Sequence, residues 1–266
     1  MAVAHAGGAP RRAALRHRRN VRTLTAGQLA SFRKAITASQ AIADDRGYQA
    51  WAGIHGLPLP ISCTHNSELF LPWHRAYLYF FEKSLQDRVP GVTLPWWNWT
   101  MRHGEGLPPA YKDAKSPDGS PNPLRGSPIQ PSGREPGGRS STNRTPGADG
   151  APPLPTLADV NRVLALSDFL DFQSQLEDIH NGVHVWVGGT MGSIATSAYD
   201  PIFWAHHTMI DRIWRLWQLR HTGSRPPRAL LTRALAPFPM TVRDTLSTTA
   251  LGYDYAVTMS AAKGTG

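Results

Sequence analysis

Leu176-Glu177-Asp178-Ile179-His180-Asn181-Gly182-Val183-His184-Val185-Trp186-Val187 sets two histidines four residues apart within an apolar pattern of Leu176, Ile179, Val183 and Val187. On an α-helix this spacing turns both imidazoles to one face with Cβ atoms about 5–6 Å apart, close enough to chelate one metal ion. Two core or surface histidines that happen to share the spacing are the plain alternative.

The helical period recurs outward from this stretch. Asp200 is a good N-cap and Pro201 a good first residue for a helix running to about Arg220. That helix carries His206-His207 among Phe203, Ile210 and Trp214, where a buried imidazole without a partner costs a few kcal/mol. Upstream, helices are expected over Leu157–Leu166 and Ser167–Val187, with a break at Gly188-Gly189. The first half predicts helices over Thr25–Ala43 and Arg46–Ile54, a loop forced by Pro58 and Pro60, and a long helix opening at Leu71-Pro72-Trp73-His74 and running through Leu85. Three more histidines lie there: His55, His65 and His74.

Residues 104–155 are dense in Pro, Gly and Ser and cannot propagate helix or central strand. They form an insertion rather than a linker, because each flanking segment holds only half of the histidines. The expected fold is mainly α, a four-helix bundle carrying the histidines, surrounded by irregular loops with little β. Its organisation is a basic segment over 1–24, a single domain over 25–257 and a tail over 258–266.

Two clusters of three histidines with almost no carboxylate in the ligand positions suit a metal that prefers imidazole: copper, zinc, or less often iron or nickel. Glu177-Asp178-Ile179-His180 is a Glu-x-x-His, but a di-iron carboxylate site needs a second copy, which the first half does not offer. A structural zinc site favours thiolates, and Cys63 is the chain's one cysteine. Hydrolytic zinc could use one cluster with Glu177 and would leave the other unexplained.

The 266 residues, 41% of them hydrophobic with nine Trp, suffice for a sizeable core. No run approaches the roughly 18 apolar residues of a membrane span, and no secretory signal is evident, so the expectation is a cytoplasmic protein without a membrane partner. Export on a partner protein would leave the same sequence. Much of the net charge of +9 sits in Arg11, Arg12, Arg16, Arg18, Arg19 and Arg22, and in Arg220, Arg225, Arg228 and Arg233. These clusters read as solvated surface. They lack the interleaved aromatics or reading motif of nucleic-acid binders, so no nucleic-acid partner is expected; an acidic partner stays open.

Cys63-Thr64-His65-Asn66-Ser67-Glu68-Leu69-Phe70-Leu71-Pro72-Trp73-His74-Arg75 resembles the copper A motif of tyrosinases, catechol oxidases and molluscan hemocyanins, and His55-Gly56-Leu57-Pro58 is similar to their upstream copper A histidine. His180 through Gly189, and Asp200-Pro201-Ile202-Phe203-Trp204-Ala205-His206-His207 through Trp214, resemble the copper B motif. Leu94–Thr100 and Leu251–Tyr255 are similar to further landmarks, and the resemblance spans roughly Asn20 to Val257.

The resemblance implies a type-3 dicopper centre, with two copper ions and dioxygen as co-substrate. By position, His55, His65 and His74 would bind copper A, and His180, His184 and His207 copper B. The choice of His207 over His206 rests on the resemblance, because helical spacing does not decide it. Cys63 matches a cysteine that forms a thioether to the histidine two residues on, here His65; a small buried thiol is the alternative. Glu177 and Asn181 match a pair that holds a water able to take the phenol proton, with a salt bridge or cap as the alternative for Glu177. Phe203, Asp211 and His206 would lie just outside the ligands, with Asp211 orienting a ligand or pairing with an arginine. Ser193 and Ile194 would border the substrate entrance.

The implied activity is ortho-hydroxylation of monophenols and oxidation of o-diphenols to o-quinones, on a small phenolic substrate. An oxidase of o-diphenols or o-aminophenols alone, and a reversible oxygen carrier, are the alternatives. The chain ends nine residues after Val257, so the shielding C-terminal extension of many relatives is expected to be missing. A copper-loading helper protein, as some bacterial members use, is a further expectation about partners.

Overall fold

Apolar spacing forms the helices and selects the faces they bury. The computed structural model describes residues 15–57, 63–100, 106–129 and 140–256. Within them lie α1 (Ala26–Gln40), α2 (Tyr48–His55), α3 (Phe70–Gln86), α4 (Pro109–Lys112), α5 (Leu157–Leu164), α6 (Phe169–Val187) and α7 (Ile202–Arg220). Two short strands, β1 (Arg16–Arg18) and β2 (Tyr253–Tyr255), pair in parallel. The fold is mainly helical, as expected. Arg11, Arg12, Pro58, Pro60, residues 101–105 and 130–139 of the Pro-rich region, and the 258–266 tail lie outside the described residues.

Local chemistry explains the helix boundaries. Thr25 and Gln28 cap α1 reciprocally, each side chain accepting from the other's backbone N–H. The carboxylate of Asp168 caps α6 by accepting from the N–H groups of Leu170 and Asp171. α6 ends at Gly188, where φ is 65° and a Cβ would stand 2.3 Å from Thr145 Oγ1; only glycine fits this approach. α7 begins at Ile202 rather than Pro201, but Asp200 Oδ1 still accepts from Ile202 N at 3.0 Å. The shift of one residue leaves the same carboxylate capping the helix.

The Pro-rich insertion packs onto this frame. Arg144 donates from Nε to both carboxylate oxygens of Asp200 and from Nη2 to the Leu124 carbonyl, joining the insertion to the start of α7. Thr145 N and Gly147 N donate to Val187 O and Trp186 O at 2.9 and 2.8 Å. They satisfy carbonyls that the end of α6 leaves open.

One charge expected at the surface is buried instead. Arg18 is 0% exposed on β1 and reaches Glu82 on α3 and Asp211 on α7. Arg75 donates to Asp211 as well and stacks 3.6 Å over the Trp214 ring, while Tyr253 and Tyr255 of β2 also donate to that carboxylate. Two guanidinium groups and two carboxylates balance, which makes the burial of four charges tolerable. Sequence clustering marks Arg18 as one of several basic residues; the partners that draw it inside are 64 and 193 positions away along the same chain. Asp211 therefore does pair with arginine, and β1 packs as part of the helical body. No helix among the described residues is long and apolar enough to cross a membrane.

Candidate metal centre

Four helices converge on one cluster of imidazoles. His55 ends α2, His74 lies in the second turn of α3, His180 and His184 lie on α6 and His207 on α7, while His65 comes from the loop before α3. His55, His65 and His74 form one triangle with ring centroids 5.3–5.7 Å apart. His180, His184 and His207 form a second, at 4.4–5.5 Å. The triangles face each other, with His74 to His207 at 4.5 Å and His65 to His180 at 5.7 Å.

The ring nitrogens are differentiated by their partners. Nδ1 of His55, His74 and His184 donates to the carbonyls of Ile194, Phe70 and Met191, and Nδ1 of His180 donates to Asn181 Oδ1 at 3.0 Å. These bonds fix the tautomer and turn each Nε2 lone pair toward the cluster. Nε2 of His55 and of His74 is buried without a hydrogen-bond partner. Nε2 of His207 stands 3.1 Å from that of His180 and 3.3 Å from that of His184.

Burial and mutual repulsion hold His55, His74, His180 and His207 well below the ordinary imidazole pKa, and burial brings His65 and His184 down to about 4. At neutral pH the cluster is uncharged, with converging lone pairs in a dry setting. This is a donor set for a soft or borderline metal ion, and it fits copper. Sets within 4.8 Å of one another include His55 with His74 and His207, and His180 with His184, His206 and His207.

His206 is fully buried and stacks on His180 at 5.0 Å and 13°, while His207 packs against rings of both triangles. Phe203 packs its ring 4.1 Å from His207 and 4.8 Å from His55 and dries the space between them. Cys63 Sγ lies 3.2 Å from His65 Nδ1, and burial pushes its thiol up to about 12. Asn181 is exposed beside His180, whereas Glu177 is buried and accepts from Asn66 N at 2.7 Å. Burial raises the Glu177 carboxyl above its usual value. Ile194 is 47% exposed next to His55, with Ser193 beside it half-buried.

Several contributors had no local sequence signature. The carbonyls of Met191 and Ile194 orient ligands through backbone atoms, and any residue has a carbonyl. Gln173 was detectable in principle: Gln173, Glu177, His180 and His184 fall on one stripe of α6, within about 60° of the helical wheel. A polar stripe on a buried face marks residues that need partners.

Residues 45–220 match the family model described as the common central domain of tyrosinase. The chain is 36% identical over 184 residues to a tyrosinase of Streptomyces antibioticus, covering 60% of this chain and 66% of that protein. It is 30% identical over 218 residues to hemocyanin units G and H of Sepia officinalis, covering 76% of this chain and 37% of that protein. Two hemocyanins of Enteroctopus dofleini are likewise matched along only 21% and 9% of their length, so the chain spans a minor part of these relatives. Among solved structures, a functional unit from octopus hemocyanin superposes with a TM-score of 0.78 at 28% identity, over 91% of this chain and 68% of that one.

Proposed function

Because this chain belongs to the tyrosinase family of type-3 copper proteins, we propose that it is a copper-dependent oxidase of phenols, hydroxylating monophenols at the ortho position and oxidising o-diphenols to o-quinones. The observation that carries the proposal is the convergence of two imidazole triangles whose Nδ1 atoms are largely committed outward. His55, His65 and His74 would hold one copper ion, and His180, His184 and His207 the other. When bound, the two ions supply one-electron redox centres that activate dioxygen and accept a phenolate.

The chain's own residues do the rest. His65 and His184 are only partly buried, and exposed Asn181, Val185 and Ile194 surround that side, which suits entry of a small planar phenol there. Ser193 and Ile194 border this entrance in the proposal. Glu177, its basicity raised by burial, acts with Asn181 through a shared water to take the phenolic proton at its second oxygen, Oε2. Phe203 keeps the interior side of the cluster free of water. Cys63 joins His65 through a thioether that fixes the ring. A small phenol is the partner the reaction requires; a copper-loading helper protein, which the reaction itself does not demand, and a cytoplasmic compartment are proposed beside it.

A turnover assay with tyramine, catechol and 2-aminophenol on protein of known copper content tests this. Oxidation of tyramine after a lag, with quinone as product, is the expected result. Reaction with catechol or 2-aminophenol alone reduces the function to a diphenol or aminophenol oxidase. Reversible oxygen uptake without turnover would make the chain a carrier, as hemocyanins are.

A further inference from the structure

α6 does more than carry two of the ligands. His65 is the ligand that no helix holds, and the backbone turns directly after it: Asn66 has φ 49°, the one non-glycine positive φ among the described residues, in a left-handed conformation that asparagine adopts more readily than other residues with a Cβ. The N–H of Asn66 lies outside any helix or strand and needs an acceptor from elsewhere in the fold. Just beyond, α3 begins at Phe70 with Leu69 at its cap position, and Leu69 has no side-chain oxygen to accept the orphan N–H groups of the first turn.

Both needs are met from one face of α6. Glu177 Oε1 accepts from Asn66 N at 2.7 Å, a charge-assisted bond. One turn earlier, Gln173 Oε1 accepts from Leu71 N at 3.1 Å and Gln173 Nε2 donates to Ser67 O at 3.2 Å. Gln173 and Glu177 are 3% and 5% exposed and, with Asn66 and Ser67, line the wall of an open pocket. Three hydrogen bonds thus run from the helix of His180 and His184 to the segment from Asn66 to Leu71, which links His65 to the first turn of α3.

We propose that Gln173 and Glu177 form a clamp that positions His65, and with it the register between the two histidine triangles. Gln173 acts as an N-cap supplied by another helix, and Glu177 holds the left-handed turn that aims His65 inward. The clamp is distinct from proton transfer by Glu177, which would use the other carboxylate oxygen. Its effect on copper rests on the copper reading above, whereas its effect on the backbone does not.

The test pairs two measurements on the full chain. In the metal-free protein, amide hydrogen exchange at Asn66 and Leu71 should speed up about tenfold or more in Glu177→Ala and Gln173→Ala respectively, and stay slow in Glu177→Gln, whose amide oxygen still accepts. In protein loaded with copper and challenged with a chelator, Glu177→Ala should lose one of its ions about tenfold faster than the parent, leaving a mononuclear Cu(II) EPR signal, while Glu177→Gln keeps both. Unchanged exchange at both amides overturns the clamp. So does copper loss in Glu177→Gln equal to that in Glu177→Ala, or parent-like retention in Glu177→Ala. A parent protein that binds no copper defeats the copper reading alone, and the exchange measurement still decides the clamp.

Discussion

Nε2 of His207 lies 3.1 Å from Nε2 of His180. His180 donates from Nδ1 to Asn181, so its Nε2 presents a lone pair, and the same holds for His184, which donates from Nδ1 to Met191 O. Without metal, a proton on His207 Nε2 can bridge to one of these two acceptors. A metal ion held by His180, His184 and His207 would use that Nε2 lone pair, and the ring proton of His207 would then sit on Nδ1, which is buried without a hydrogen-bond partner.

Copper content follows from this geometry. The parent protein is expected to hold about two coppers per chain and His207→Ala about one, while His206→Ala, which removes a ring stacked on His180, keeps the metal and loses stability through the cavity it leaves. Elemental analysis after dialysis checks this; one zinc and no copper in the parent would defeat the assignment.

Cys63 and His65 should become cross-linked in copper-loaded protein exposed to dioxygen. A sulfur–carbon bond forms as the thiol and ring C–H hydrogens leave, and dioxygen takes the two electrons. Mass spectrometry of the peptide should find it lighter by two hydrogens, a change absent in Cys63→Ser. A parent peptide of unmodified mass would leave Cys63 as a buried thiol only.

Glu177→Gln separates proton transfer from positioning. The amide keeps the bond from Asn66 but is a poor base, so kcat on tyramine should fall about a hundredfold or more while catechol oxidation changes much less. Equal loss on both substrates would speak against a role in deprotonating the monophenol.

Asp211→Asn removes one of two anions from a buried group containing Arg18 and Arg75. Leaving that positive charge uncompensated should lower stability by about 3–5 kcal/mol in urea denaturation. A loss below about 1 kcal/mol would mean that Glu82 and the tyrosines hold the arginines unaided.

The metal-free protein should weaken in mild acid. His184 titrates near 4 when folded against an ordinary 6.5, so between these values the unfolded chain binds the extra proton. Stability from this group is complete above about pH 6.5 and is lost as the pH falls toward 4, on the order of 3 kcal/mol. His65 acts in the same direction. Urea midpoints that stay level from pH 7 to pH 5 would show that the apo cluster rearranges to admit solvent.

Helix content, the pairing of His180 with His184, the capping by Asp200 and the glycine stop at Gly188 were legible in the sequence, because each depends on residues within a turn or two of one another. The motif resemblance added the ligand set. Tertiary structure alone decided that Arg18 is buried, that β1 pairs with β2 and that Gln173 and Glu177 hold the loop of His65. Each of these joins atoms far apart in the chain through a bond whose partner is a backbone group or a charge, and such partners have no periodicity to read. Where a feature is local, its residues announce it; where it spans the fold, only the packed helices determine which donor meets which acceptor.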